Sequence, residues 1–270
     1  MTKPEPNLFL TEEQTAFFHR EGYLPINAIT SQEEVARLRI IYDRLFQQRA
    51  GREVGDQFDL AGTDEEDREA ILPQILEPVK YAPELESIQF RVNAASMSQQ
   101  LLGPAMRPLG EHAIFKPARI GAQTPWHQDE AYWDENFDYT SLSIWMPLQE
   151  ATAENGCMQF IPGSHKLEVL PHHTINYDPR IHGLEVDEVD PSRSAICPLP
   201  PGGATFHQSR TLHYTGPNLS DIPRRAYILI FGLEPKPRKV PHDFYWNKQK
   251  RTPSEERRRA AQKKADSKGF

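Results

Sequence analysis

The sequence predicts a mainly β domain flanked by α-helices, of the sandwich, barrel or jelly-roll kind. Three observations carry this. From Met106 onward, short runs of β-branched and aromatic residues are divided by Gly, Pro, Asn and Asp, the texture of an all-β protein. Before that point, apolar residues recur at helical spacing. The chain has 270 residues, 38% hydrophobic and 10% aromatic, which suffices for one large core.

Taken in order, the first elements read as helices. Thr11-Glu12-Glu13-Gln14 has the spacing of a capping box and opens a helix ending near Gly22, with Phe17 and Phe18 on its buried side. Ser31-Gln32-Glu33-Glu34 opens a longer helix, in which Val35, Leu38, Ile41, Leu45 and Phe46 form one apolar stripe. Residues 49–70 are polar and acidic and read as a mobile surface loop; a lid over a site is the functional reading. Glu84 to Leu102 forms a further helix. Strands follow near 111–116, 124–129, 141–148, 157–161, 203–207, 211–214 and 224–233. A polar connection over 163–192 carries His165, His172, His173 and His182 and is a second candidate lid. Beyond Pro235 comes an extension made basic by Arg257-Arg258-Arg259 and Lys263-Lys264, expected as a solvated or helical tail that is free to move. The expected organisation is one domain over 1–235 and an extension over 236–270.

Composition excludes several classes. A net charge of −7 gives no overall basic field for nucleic acid. No run of 18 apolar residues exists, so no membrane helix is expected. The stretch Met1-Thr2-Lys3-Pro4-Glu5-Pro6 lacks an apolar signal core. Two cysteines, Cys157 and Cys197, make no disulfide framework, and a reducing cytoplasm is the expected setting. Nothing in the chain fixes an oligomeric state.

The chemistry centres on Thr124-Pro125-Trp126-His127-Gln128-Asp129. In a strand, residues two apart share a face, so an imidazole nitrogen of His127 and a carboxylate oxygen of Asp129 converge. Alone, His-x-Asp is a weak signal. With a second histidine it becomes the facial triad that suits non-haem Fe(II) and leaves coordination positions open. The segment Gly202 to Asn218 supplies two candidates, His207 and His213, on the same face of their strand. Arg224 opens an apolar strand eleven residues after His213 and suits a carboxylate by its planar fork; Arg225 is the neighbouring alternative.

His127-x-Asp129, His213, Thr215, Asn218 and Arg224, in this order and spacing, resemble the signature of the phytanoyl-CoA hydroxylase family of Fe(II)- and 2-oxoglutarate-dependent dioxygenases. Phe115-Lys116-Pro117, Trp145 leading into Asn155-Gly156-Cys157, and Ile161-Pro162-Gly163-Ser164-His165-Lys166 also match. The resemblance covers roughly residues 8–235. It implies a double-stranded β-helix core, a cupin-like jelly roll, preceded by helices. It implies Fe(II) held by His127, Asp129 and His213, with 2-oxoglutarate and O2 as cosubstrates and succinate and CO2 as products. It implies Arg224 on the distal carboxylate of 2-oxoglutarate, assisted by Thr215, Lys116 and Trp145, and selects His213 over His207.

One departure bears on the substrate. Many relatives carry a glutamine a few residues before the lysine, where this chain reads Gly110-Glu111-His112. Glu111 and His112, with Trp133, are therefore the expected substrate-binding residues. They suggest a small polar metabolite rather than an alkyl chain. Halogenation normally needs a small residue in place of Asp129, and desaturation shares the same oxidant. A non-catalytic jelly-roll binding protein would be free to lose the triad and Arg224. A zinc hydrolase would give Arg224 no purpose.

Overall fold

The computed structural model describes residues 4–267. The first three residues of the stretch read for a signal core, and the last three of the extension, lie outside them. Helices are α1 (Glu12–Glu21), α2 (Gln32–Gln47), α3 (Gln89–Leu102), α4 (Tyr245–Gln249) and α5 (Pro253–Asp266). Strands are β1 (Tyr23–Ile26), β2 (Gln57–Asp59), β3 (Pro73–Leu76), β4 (Arg107–Lys116), β5 (Thr124–His127), β6 (Phe137–Asp138), β7 (Ser141–Pro147) and β8 (Met158–Phe160). They continue with β9 (His173–Thr174), β10 (Leu184–Glu185), β11 (Ala195–Cys197), β12 (Ala204–Gln208), β13 (His213–Thr215), β14 (Arg224–Gly232) and β15 (Lys236–Pro237).

The expected capping box forms: Thr11 Oγ1 accepts from Gln14 N at 3.2 Å, and Gln14 Oε1 accepts from Thr11 N at 2.9 Å. Gly22 ends α1 at φ 83°, a conformation that glycine adopts without strain. The third helix starts later than expected, because Pro83–Ser87 forms a separate 3-10 turn.

Two antiparallel sheets face each other, as the jelly-roll expectation requires. One has seven strands in the order β1-β12-β7-β14-β4-β3-β2; the other has four, β11-β8-β13-β5. Alternation along β14 divides the layers. Tyr227, Leu229 and Phe231 pack with Leu38, Tyr42, Phe90 and Met97 of the helices. Ala226, Ile228 and Ile230 face inward with Trp145, Met158 and Phe160. The site lies in that inner space.

Two segments expected to be mobile are tied down. Within 49–70, Asp59 accepts backbone hydrogen bonds from Ala61, Ile71 and Leu72, and Asp64 pairs with both Arg52 and Arg257. The basic extension folds back onto the domain. Trp246 is 3% exposed and donates from Nε1 to Ala131 O at 2.9 Å, while α5 packs on the turn at Arg52–Val54. Its helical part matches the expectation; its many charges had masked the buried Phe244, Trp246 and Ser254. Among the described residues, no helix is long and apolar enough to cross a membrane.

Candidate active site

His127 ends β5 and pairs directly across the sheet with His213, the first residue of β13. The rings lie 4.1 Å apart between centroids. Each is oriented by a backbone carbonyl: His127 Nδ1 donates to Pro125 O at 2.7 Å and His213 Nδ1 to Thr211 O at 2.9 Å. Both Nε2 lone pairs are thereby left for a common target. Asp129 Oδ1 lies 3.9 Å from His127 Nε2 and 3.4 Å from His213 Nε2. Among the described residues these three form the one group of this kind whose donor atoms lie within 4.8 Å of one another. Burial, then His213, drives His127 down to about 3, so its imidazole is neutral and fit to ligate.

The strand argument for Asp129 needs correction. β5 stops at His127, and Asp129 begins a 3-10 turn, Asp129–Tyr132. Gln128 is still extended, at φ −121° and ψ 133°, so the carboxylate keeps the strand direction for one more residue. The turn is fixed from outside. His172 Nε2 accepts from Gln128 N at 3.1 Å, and Trp246 and Asn247 both donate to Ala131 O. His207 is not placed as a third ligand. Its Nε2 meets the other oxygen, Asp129 Oδ2, at 3.2 Å, and Ser143 Oγ donates to that same oxygen at 2.6 Å.

Arg224 opens β14 opposite Lys116 of β4. It is 1% exposed, its Nε and Nη1 have no hydrogen-bond partner, and its guanidinium lies 5.3 Å from the Trp145 ring. Burial pulls its pKa down to about 9. Lys116 is also buried, and burial followed by Arg224 holds it well below the usual lysine range. Lys116 Nζ donates to Thr215 Oγ1 at 2.8 Å and to Gly216 O at 2.6 Å. Thr215 Oγ1 in turn donates to Thr124 Oγ1 at 3.0 Å. Asn218 Nδ2 clasps the carbonyls of Lys116, Pro117 and Ile222, which sets the turn entering Arg224. The buried Arg224 guanidinium has no carboxylate partner, so the site favours an anion. Arg225 points to the helix layer, where its Nε donates to Asp43 Oδ1 at 2.7 Å.

One cavity of about 260 Å³ joins these groups. Thr215, Trp145 and Arg224 line it beside the triad, and His112, Trp133, Tyr132, Gln74 and His182 line it as well. Glu111, expected at the substrate, is placed elsewhere. Strand alternation turns it to the helix layer, where its carboxylate pairs with Arg91 and accepts from Tyr227 Oη at 2.9 Å and Val79 N at 2.9 Å. Sequence reading missed Gln74 and Tyr132 and left His182 as a loop histidine. Gln74 sits opposite Ile114 on the unexpected strand β3. Burial, then Lys250, keeps His182 well below the ordinary histidine range, and its Nδ1 has no partner.

The donor set fits the groups that the sequence implies. Two neutral imidazoles and one carboxylate on one side suit Fe(II). The orphaned guanidinium nitrogens of Arg224 suit the far carboxylate of a dicarboxylic acid.

Residues 18–226 match the family model described as phytanoyl-CoA dioxygenase. A probable alpha-ketoglutarate-dependent hypophosphite dioxygenase from Stutzerimonas stutzeri is 30% identical over 225 residues, covering 81% of this chain and 77% of that protein. The crystal structure of EvdO2 from Micromonospora carbonacea var. aurantiaca complexed with 2-oxoglutarate is 39% identical, with a TM-score of 0.76 over 91% of this chain and 99% of that one. The carbocyclase SnoK from nogalamycin biosynthesis, at 22% identity and TM-score 0.67 over 88% of this chain and 90% of that one, shares the fold. With the family match spanning His127, Asp129, His213, Thr215 and Arg224, the chain belongs to the phytanoyl-CoA dioxygenase family and is a 2-oxoglutarate-dependent non-haem iron dioxygenase.

Proposed function

We propose that this enzyme hydroxylates a C–H bond of a small, polar organic metabolite, releasing succinate and CO2. The observation that carries the reading is the convergence of His127, Asp129 and His213 beside an unpaired, buried Arg224 in one cavity. His127, Asp129 and His213 hold Fe(II); Arg224 pairs with the distal carboxylate of 2-oxoglutarate. Iron, 2-oxoglutarate and O2 together supply the oxidant when bound. The chain orients them and excludes water. His207 and Ser143 hold the outer oxygen of Asp129, leaving Oδ1 for the metal. Lys116 holds Thr215 in place beside Arg224. Trp145 backs the guanidinium.

The wall beyond the triad supports a polar and uncharged substrate. Gln74, His112 and His182 offer hydrogen bonds among Leu60, Leu76, Tyr132 and Trp133. Burial depresses the pKa of His112, so it stands neutral at pH 7. Among the described lining residues, Arg224 is the sole lysine or arginine. The retained carboxylate of Asp129 argues against halogenation.

The test is succinate formation by the Fe(II) enzyme with 2-oxoglutarate and a panel of small polar metabolites. The expected product is one oxygen atom heavier than its substrate. A product of unchanged mass, or one lacking two hydrogens, would replace hydroxylation by epimerisation, ring closure or desaturation. The panel includes hypophosphite, named for the Stutzerimonas stutzeri relative. Stimulation by hypophosphite alone would sink the C–H reading.

A further inference from the structure

The iron cavity is small for its contents. Cavities enclosing drug-sized ligands run about 300–1,000 Å³. Here about 260 Å³ must take 2-oxoglutarate and the reacting part of a substrate. A second cavity of about 520 Å³ adjoins it, and Leu76 and His112 line both. Its outer wall is α5, through Arg258, Ala261 and Gln262, and Lys80, Asp56 and Glu77 line it as well.

That wall is built, not incidental. Arg257 forms an ion pair with Asp64 that is largely shielded from water, and Arg258 Nη2 donates to Gly55 O at 3.1 Å. Gly55 sits at φ +81°, and a Cβ there would lie 2.2 Å from Ser254 O, so glycine permits the close seating of α5. Inside the vestibule Lys80 Nζ lies 3.5 Å and Arg258 Nε 4.0 Å from the Asp56 carboxylate. Two cations, Lys80 and Arg258, balance two carboxylates, Asp56 and Glu77, leaving donors and acceptors without a strong net charge.

We propose that this vestibule receives the part of the substrate remote from the reacting carbon, an uncharged chain or ring bearing hydroxyl or amide groups. The proposal rests on the oxygenase reading of the inner site. It makes α5, which lies beyond the family-matched residues 18–226, part of substrate recognition.

Thiol labelling tests the passage without any substrate. The native Cys157 and Cys197 are buried, and burial raises both thiols, Cys197 to about 12. In full-length Leu76→Cys, a small methanethiosulfonate reagent is expected to react about tenfold or more faster than with the wild type. Adding Ala261→Trp should slow that labelling about tenfold, whereas Ala260→Trp, exposed on the same helix, should not. With any panel compound that stimulates succinate formation, Ala261→Trp should raise its KM about tenfold or more relative to the KM for 2-oxoglutarate. Slow labelling of Leu76→Cys, labelling indifferent to Ala261→Trp, or an unchanged substrate KM each overturns the proposal. Failure of the panel itself would instead count against the hydroxylase reading, and labelling would still decide the passage.

Discussion

Arg224→Met should have two effects of opposite sign. In the metal-free protein the guanidinium is 1% exposed, with two nitrogens unpartnered and the Trp145 ring 5.3 Å away. A pKa falling from 12.5 to about 9 corresponds to on the order of 5 kcal/mol of unfavourable burial. The cation–π contact returns about 1–2 kcal/mol of that. Methionine keeps most of the bulk and carries no charge, so the metal-free variant should unfold roughly 5 °C or more above the wild type. Binding of 2-oxoglutarate should move the other way. Removing one partner of a buried ion pair costs about 3–5 kcal/mol, or two to three orders of magnitude in affinity. Arg224→Lys should recover little, because a point charge cannot replace the planar fork.

The assays are thermal unfolding of the metal-free protein and calorimetric titration of 2-oxoglutarate into the Mn(II)-loaded protein without O2. Arg225→Met is the control. Its guanidinium meets Asp43 in the helix layer, and its loss should leave 2-oxoglutarate affinity within about a few-fold. A destabilised Arg224→Met that still bound 2-oxoglutarate normally would refute the reasoning. So would a collapse of binding in Arg225→Met.

Three further outcomes are expected. His213→Ala should abolish Fe(II) retention on desalting, whereas His207→Ala should weaken metal affinity only about 10- to 100-fold, because His207 meets the outer oxygen of Asp129; equal losses would put the third ligand in doubt. Glu111→Ala should cost about 3–5 kcal/mol in chemical denaturation by stranding Arg91 and Tyr227, yet leave 2-oxoglutarate affinity unchanged in the folded protein. On acidification, burial holds His172 at about 4 against 6.5 in the unfolded chain, so between those values the unfolded state binds the extra proton and stability falls as pH falls, by on the order of 3 kcal/mol for this group. Urea melts of His172→Asn that kept the full acid sensitivity of the wild type would contradict that assignment.

The strands carrying the site were legible because each holds an inner and an outer face. Alternation in β14 separates Arg224 from Arg225, and the structure puts them in different layers. The same alternation, applied to β4, already separates His112 and Lys116 from Glu111. Glu111 stands next to His112 in the motif segment, but strand phase, not motif position, decides its layer. Short strands such as β1–β3 gave no signal. Gln57 and Asp59 are polar yet buried on either side of Phe58, and the Asp59 carboxylate accepts backbone hydrogen bonds from Ala61, Ile71 and Leu72. Long-range closure of that sort leaves no periodicity to read.

The C-terminal extension poses the sharper physical question, because charge run and buried wall occupy the same helix. Arg257, Arg258 and Arg259 look alike in sequence. In the fold the first meets Asp64, the second reaches the Gly55 carbonyl, and the third is exposed. What anchors the segment is upstream. Phe244 and Trp246 stack 5.0 Å apart, and Trp246 also packs on His172, the residue that accepts from Gln128 N. Gln128 lies between His127 and Asp129, and Ala131, one turn on, accepts from both Trp246 and Asn247. A carboxylate placed just past the end of β5 has no ladder bond to fix its direction, so its aim depends on whatever holds the turn. Here part of that support, from Trp246 and Asn247, comes from over a hundred positions away, and the extension joins the iron site mechanically as well as lining its approach.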